Sequence, residues 1–113
     1  MNKKEKIKEL MDMFAKIKAE GMEIFSRGDI YGSLYKGLEA IDGIDRNYQE
    51  NLDKIKGNDY SEKITHLQDF SFKECCTVLT ALLRYERFVE GVFYGAVRSG
   101  DVLKILSHAY TLL

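Results

Sequence analysis

Two arginines and two glutamates lie close together in one short segment of the chain, Arg84, Glu86, Arg87 and Glu90. An arginine presents a planar fork of N–H donors that matches a phosphate or a carboxylate. We therefore expect Arg84 and Arg87 to contact phosphate, and Glu86 or Glu90 to orient an arginine or a ribose hydroxyl. A tyrosine ring can stack on a base, which completes the candidate ligand-binding set: Arg84, Tyr85, Glu86, Arg87, Glu90 and Tyr94.

The two glutamates conflict with the helical pattern that precedes them. Apolar residues recur at helical spacing through residues 75–83, and continuing that helix at about 100° per residue places Glu86 and Glu90 on its apolar face. A carboxylate there is costly unless it is paired or hydrogen-bonded. Two interpretations remain open. Either the helix kinks near Tyr85 and the carboxylates reach solvent or pair locally, or an arginine and a buried glutamate form an oriented pair at the floor of a pocket.

The elements that must position these residues are predicted to be helices. Apolar spacings of three and four dominate and proline is absent, so we predict an all-α fold. We expect one domain, residues 1–113, built as a compact bundle of about five to six helices. Because a short chain is often completed by a second copy, we also expect a homo-oligomer. The predicted helices cover about residues 2–26, 30–40, 44–56, 72 to 88 or 90, 92–98, and 102 to the carboxyl-terminal end.

Turn and capping signals set these boundaries. Ser71-Phe72-Lys73-Glu74 has the spacing of a capping box. We interpret Arg27-Gly28-Asp29 as a helix end, a left-handed glycine and a new N-cap, and Ser99-Gly100-Asp101 as a second corner of the same kind. Gly21 is expected to bend the first helix, whose buried apolar stripe we expect to consist of Ile7, Leu10, Met11, Phe14, Ile17 and Phe25. Residues 58–70 form either one short helical face or an irregular clamp over the core.

Composition restricts the partners and the setting. The 113 residues carry a formal net charge of −1, which argues against the basic footprint of a nucleic-acid-binding domain. No apolar run approaches the roughly 18 residues of a membrane span, and Glu5, Glu9 and Asp12 interrupt the basic amino-terminal segment too early for a secretory signal. We therefore expect neither nucleic acid nor a membrane as partner. Cys75 and Cys76 are adjacent in sequence, and adjacent cysteines rarely form a disulfide bond with each other. We therefore expect a reducing, cytoplasmic setting.

The sequence carries no recognised catalytic or metal-binding pattern. His66 and His108 are far apart and neither has a spaced Cys or His partner, so no zinc site is expected. The adjacent cysteines lie in a helical apolar stripe, which is typical of core packing rather than of a nucleophile. There is no glycine-rich phosphate loop and no Gly-x-Ser-x-Gly turn. A glutamate pair on one helix is a weak acid–base signal, so we expect a non-catalytic protein that needs no metal or cofactor.

A fixed pattern occupies the last third of the chain. It reads Leu82-Leu83-Arg84-x-x-Arg87-Phe88-x-Glu90-Gly91, followed by Ala96, by Ser99-Gly100 and by Ile105-Leu106. Over about residues 79–106 this pattern resembles an uncharacterised family of short bacterial and phage-borne proteins. The resemblance implies a helical fold and an origin in a phage or mobile element. It implies no particular reaction.

Two functions of different classes fit these features. In the first, a non-catalytic helical protein binds or sequesters an anionic nucleotide-like ligand, which in a phage would counteract a host defence that signals with nucleotides. In the alternative, the chain is a protein–protein interaction module or an inhibitor of a host protein, with its amphipathic first helix as the interface. Ligand binding requires Arg84 and Arg87 to line a concave site. The alternative predicts sensitivity along Leu10, Phe14 and Ile17.

Overall fold

The structure is a computed structural model that describes residues 2–113, and over this range it contains seven α-helices and no β-strand. The all-α prediction is therefore confirmed. Two short 3₁₀ turns, Met22–Ile24 and Leu67–Asp69, connect some of the helices. No helix in the described part of the chain is both long enough and apolar enough to span a membrane. The helices are α1 Lys3–Glu20, α2 Arg27–Ala40, α3 Tyr48–Asp53, α4 Tyr60–Ile64, α5 Phe72–Tyr85, α6 Val92–Ser99 and α7 Asp101–Thr111.

Helix α5 lies at the centre of the fold. Its residues from Cys75 to Leu83 are all buried, and a helix that is buried on every side must be covered by other elements. Helices α2, α3, α6 and α7 all contact it. At its start the Ser71 hydroxyl accepts the amide of Glu74, and the Glu74 carboxylate accepts the amide of Ser71. The capping box predicted from the spacing of these two residues is confirmed.

Helices α1 and α7 pack against each other and complete the core. Gly37 of α2 allows α1 to approach closely, because a Cβ at that position would lie 2.8 Å from Cδ1 of Leu10. The apolar stripe predicted for α1 is confirmed over its helical part. The buried residues of these two helices are Ile7, Leu10, Phe14 and Ile17 on α1, and Val102, Ile105, Leu106 and Ala109 on α7.

The first interhelical corner differs from the prediction. Helix α1 ends at Glu20 instead of continuing to residue 26, because Gly21 has φ +97° and ψ 160°, a conformation outside the helical region. Ser26, and not Asp29, is the N-cap of α2, since its hydroxyl accepts the Asp29 amide at 3.1 Å. The prediction that Gly28 is left-handed is therefore wrong, because Gly28 lies inside the first turn of α2.

The second corner follows the predicted pattern only in part. Gly100 is left-handed, with φ +88°, as expected for a residue that ends α6. Asp101, however, is the first residue of α7 and not its N-cap, which is Gly100 itself. The two glycine–aspartate corners thus have similar sequences but different geometry.

Helix α3 is shorter than predicted. The expected helix over residues 44–56 is reduced to Tyr48–Asp53, and Asp45 lies before it in irregular backbone. The Asp45 carboxylate accepts the amide of Asn47 at 2.9 Å. A local hydrogen bond of this kind competes with the helical pattern, so the chain turns here before α3 begins.

Residues 58–70 combine both of the structures considered for them. They contain α4 and the 3₁₀ turn, and they bury Leu67 and Phe70 in the core. The Lys63 ammonium is buried as well and donates to the carbonyl oxygens of Ile55 at 2.9 Å and Gly57 at 2.6 Å. This lysine therefore links α4 to the segment that follows α3. Leu52 of α3 and Tyr60 of α4 form part of one wall of a pocket described below, so the link holds that wall together.

Candidate ligand-binding site

Three arginines line one concave surface beside the carboxyl-terminal end of α5. The pocket has a volume of about 340 Å³ and is formed by Arg46, Tyr48, Arg84, Arg87 and Phe88. The structure thus places the two predicted arginines in a single pocket. It adds Arg46, from the segment that leads into α3, and Tyr48, the first residue of α3. We call this surface the arginine pocket.

Among residues 2–113, the guanidinium groups of the arginine pocket have no carboxylate partner. The ion pairs within 4.0 Å in the described part of the chain all involve lysines. Arg84 lies over the ring of Tyr35, with its guanidinium carbon 5.9 Å from the ring centroid, and this cation–π contact helps to orient it. The positive charges therefore remain open to an anion that enters the pocket.

Asp45 anchors the backbone next to Arg46. Its carboxylate accepts the hydroxyl of Thr77 and the side-chain amide of Asn51, the latter at 2.9 Å. Its own amide donates to the hydroxyl of Thr80 at 3.1 Å. Because both threonines belong to the buried α5, this network fixes the start of the α3 segment on the central helix and so places Arg46 at the rim of the pocket.

The same network changes the pKa of Asp45. Burial by itself raises the pKa of this carboxyl group. The hydrogen bonds from Thr77 and Asn51 outweigh that effect, and the amide of Asn47 and the charge of Lys73 add to them. The net result is a pKa below the ordinary value of an aspartate, so Asp45 is an ionised acceptor at neutral pH.

The structure decides between the two interpretations of the glutamates. Helix α5 ends at Tyr85, not at residue 88 or 90, and the Glu86 carboxylate accepts the amides of Gly91 at 2.7 Å and Phe93 at 2.8 Å. These are amides that the start of α6 leaves without a helical partner, and a carboxylate is favourable there. The kink near Tyr85 is therefore confirmed. Within residues 2–113 neither Glu86 nor the exposed Glu90 forms an ion pair with an arginine.

Four of the predicted site residues do not line the arginine pocket: Glu86, Glu90, Tyr94, and Tyr85, which lines a second pocket described next. Glu86 is occupied by the backbone of α6, and Glu90 is exposed on the turn. Tyr94 is buried, its hydroxyl donates to the carbonyl oxygen of Arg27 at 2.9 Å, and the guanidinium carbon of Arg27 lies 4.9 Å from its ring centroid. These contacts give Tyr94 a packing role between α2 and α6.

A second pocket adjoins the arginine pocket. Tyr85 lines this second pocket, while its ring contacts Tyr48 of the arginine pocket edge to face, with the centroids 5.8 Å apart. The volume is about 420 Å³. We call it the apolar pocket, since most of its walls are apolar: Leu52, Val78, Ala81, Leu82, Val92 and Ala96.

The polar end of the apolar pocket is formed by Tyr60 and Asp101. The Tyr60 hydroxyl donates to Oδ2 of Asp101 at 2.8 Å. The pKa of Tyr60 is raised far above its ordinary value. Burial has the largest effect, and the hydrogen bond to Asp101 and the negative charge of Asp101 add to it. Tyr60 is therefore a neutral hydrogen-bond donor to a carboxylate throughout the physiological pH range.

Sequence reasoning missed Arg46 and Tyr48. Both fell inside the predicted helix over residues 44–56, where they had no special position. The available signal was Asp45 followed by Asn47, which is a common start for a side-chain turn. The contact of that turn with Thr77 and Thr80 has no local signature, because it joins positions more than thirty residues apart.

The cysteines and His108 are placed in structural roles. Burial raises the pKa of Cys75 to about 12 and that of Cys76 to about 11, so both are thiols at neutral pH and poor nucleophiles. Nε2 of His108 lies 2.9 Å from the carbonyl oxygen of Phe70. Across the residues that the structure describes, no group of three or more His, Cys, Asp or Glu side chains is placed to hold a metal ion.

The chain belongs to a family of unknown function, DUF6508, whose family model matches residues 2–113. The expectation of an uncharacterised family is confirmed, and the match covers nearly the whole chain and not just its last third. No curated protein and no solved structure matches the chain. Family membership therefore assigns no activity, and the geometry of the two pockets has to suggest one.

Replacing Asp45 with Asn should lower the free energy of unfolding at neutral pH, because an amide cannot accept hydrogen bonds at both of its heteroatoms. The folded-state pKa of Asp45 is lowered, so its contribution is full above the unfolded-state pKa of about 3.9 and is lost as the pH falls through the folded-state value. Urea unfolding between pH 2 and pH 7 measures the difference from wild type. Asp42→Asn, at an exposed neighbouring position, is the control, and a difference that is constant with pH would contradict this role.

Replacing Glu86 with Ala should weaken the start of α6, because the amides of Gly91 and Phe93 lose their acceptor. We expect the free energy of unfolding to fall by about 1 kcal/mol, the usual effect of removing a helix cap. Hydrogen exchange at these two amides should accelerate more than at the amides of α1. Glu90→Ala removes an exposed carboxylate from the same turn, and equal effects of the two substitutions would rule out the capping role.

Proposed function

We propose that this member of a family of unknown function is a non-catalytic binding protein for a small anionic molecule of nucleotide type, held by Arg46, Arg84 and Arg87. The observation that supports the proposal most directly is the arginine pocket itself, with three guanidinium groups and, in the part of the chain that the structure describes, no carboxylate partner within 4.0 Å. Arginine binds phosphate through paired, charge-assisted hydrogen bonds.

The charge in this pocket is local. The chain as a whole carries a formal net charge of −1, so the arginines are not part of a general basic surface of the kind that binds nucleic acid. Like charges gathered in one pocket repel each other, and a phosphate that enters the pocket relieves the repulsion. A small multiply charged anion is therefore the ligand class that fits best.

Aromatic rings beside the arginines favour a nucleotide over inorganic phosphate. Tyr48 and Phe88 both line the arginine pocket, and Phe88 is 80% exposed. A large aromatic side chain left in water is unfavourable unless a flat partner covers it, and stacking of a base on an aromatic ring is favourable. The pocket thus offers both phosphate contacts and a stacking surface.

Sequestration suits this site better than turnover. The side chains around the proposed phosphate position are hydrogen-bond donors and aromatic rings. The Glu86 carboxylate is occupied by backbone amides, and the thiols of the two cysteines are buried. A protein that binds a signalling nucleotide and leaves it intact lowers the free concentration of that nucleotide. In a phage or mobile element, this is the counter-defence role that we propose for the chain.

A protein-interaction role is the second candidate, and one observation supports it at a specific place. Phe88 and Val89 are 80% and 58% exposed at the turn between α5 and α6, which makes this turn a candidate contact with a second copy or with a host protein. The face of α1 first considered as the interface is already used inside the domain, since Leu10, Phe14 and Ile17 are buried.

The test is to titrate the purified protein with nucleoside mono-, di- and cyclic phosphates and to measure the binding by titration calorimetry. We expect the Arg84→Gln/Arg87→Gln variant to bind at least about 100-fold more weakly than wild type, since each charge-assisted hydrogen bond is worth about 1.5–3 kcal/mol. Arg98→Gln removes an exposed arginine outside the arginine pocket and should leave binding unchanged. Chromatography of the bound nucleotide should recover it intact.

Two results would contradict the proposal. One is equal affinity of wild type and the double variant, with both proteins folded by circular dichroism. The other is the absence of binding by any phosphate-bearing compound at millimolar concentration. In the second case, size-exclusion chromatography with light scattering of wild type and Phe88→Ser would test the protein-interaction role.

A further inference from the structure

A glycine in the middle of α6 faces the apolar pocket. Gly95 lines that pocket, and beyond its two chain neighbours and the backbone of its own helix a Cβ at this position would meet no atom within 4 Å. Glycine inside a helix is less stable than alanine, and here no neighbouring side chain or backbone requires it. The space above Gly95 is the pocket itself, so the glycine keeps open a volume that the protein does not fill.

The polar end of the apolar pocket offers hydrogen-bond acceptors. Oδ2 of Asp101 is taken by the Tyr60 hydroxyl, while the second carboxylate oxygen accepts no hydrogen bond from residues 2–113. The Ser99 hydroxyl donates to the carbonyl oxygen of Ala96 at 3.1 Å and is not free as a donor. Asp101 begins α7, where the helix dipole favours a charged carboxylate. A ligand that fits must therefore present N–H donors at this end.

The apolar pocket and the arginine pocket share a wall. Tyr85 and Tyr48, one from each pocket, are in edge-to-face contact. On α3, Tyr48 lines the arginine pocket and Leu52, one turn later, lines the apolar pocket. On α5, Arg84 lines the arginine pocket and the next residue, Tyr85, lines the apolar pocket. The two pockets therefore lie side by side, with Tyr48 and Tyr85 between them.

We infer that the base of the nucleotide lies in the apolar pocket instead of stacking on Phe88, that it is a purine whose edge presents two adjacent N–H donors, as guanine does, and that the phosphates lie in the arginine pocket. This inference rests on the proposed function and names its ligand class. Oδ1 of Asp101 accepts one N–H group, and Oδ2 accepts the other with the lone pair that the Tyr60 hydroxyl leaves free. The apolar walls cover the ring. The volume of about 420 Å³ lies in the range of small-molecule sites, ~300–1,000 Å³.

The geometry selects against adenine. The corresponding edge of adenine has a ring nitrogen that is a hydrogen-bond acceptor, and this nitrogen would face the Asp101 carboxylate. Two acceptors that face each other in an apolar pocket both lack a hydrogen-bond donor, which is unfavourable. Hypoxanthine keeps one N–H donor and lacks the exocyclic amine. The affinity order expected from hydrogen bonding is therefore guanine first, hypoxanthine second and adenine last.

Titration calorimetry with GDP, IDP, ADP and pyrophosphate tests this order. GDP should bind about tenfold more tightly than IDP, the effect of one hydrogen bond to a charged group, and ADP should bind more weakly still. Asp101→Asn should remove the preference for GDP over ADP. Gly95→Leu should fill the apolar pocket and abolish the advantage of GDP over pyrophosphate.

Gly32→Leu is the matched control for the pocket variant. Gly32 lies inside α2, where a Cβ also meets nothing within 4 Å, and it does not line either pocket. We expect this variant to bind GDP like wild type. Because Gly95→Leu tests the pocket without touching Asp101, the inference stays testable if Asp101→Asn fails to fold.

The outcomes separate the inference from the proposed function. If GDP, ADP and pyrophosphate bind equally, and Gly95→Leu has no effect while Arg84→Gln/Arg87→Gln abolishes binding, the base pocket is overturned and the phosphate site stands. If guanosine without phosphate binds wild type and the double arginine variant but not Gly95→Leu, the base pocket stands and the phosphate site falls. If none of these compounds binds, both are overturned.

Discussion

The carboxylate of Glu86 determines how the chain passes from α5 to α6, and the rest of the candidate site depends on that passage. By accepting the amides of Gly91 and Phe93, it allows one buried helix to end and the next to begin within a short turn. Because α5 ends at Tyr85, the arginines on either side of that end reach the same pocket. Because α6 begins directly after the turn, Gly95 comes to lie over the apolar pocket. One hydrogen-bonded glutamate thus positions both halves of the proposed site.

Three carboxylates near the two pockets are bound to groups other than arginine. Glu86 accepts backbone amides, Asp45 accepts a threonine hydroxyl and an asparagine amide, and Asp101 accepts the Tyr60 hydroxyl. A chain with a formal net charge of −1 can therefore keep a locally positive pocket, since these three carboxylates are held in place by neutral donors and not by the arginines. A neutral donor does not cancel the negative charge of a carboxylate. The Asp101 oxygen that accepts no hydrogen bond from residues 2–113 can therefore still accept one from the proposed ligand.

The sequence predicted those features that depend on neighbours along the chain. The capping box at Ser71 and the apolar stripe of α1 are local patterns, and both are confirmed. Features that depend on distant partners were not predictable. Asp45 interrupts the expected helix over residues 44–56 and also contacts Thr77 and Thr80 of α5. Arg84 and Arg87 were identified because they are close in sequence, whereas Arg46 joins them only through that long-range contact. Gly28 and Gly100 have similar neighbours, and only the surrounding fold decides that one is helical and the other left-handed.

The most direct measurement is an NMR titration of the labelled protein with GDP, which observes the Nε–Hε signals of Arg84 and Arg87 together with the backbone amide of Gly95. A single nucleotide that spans both pockets should shift all three signals with one dissociation constant and leave the signals of Arg98 in place. Shifts confined to Arg98 and its neighbours, or no shifts at millimolar GDP, would contradict the proposed site.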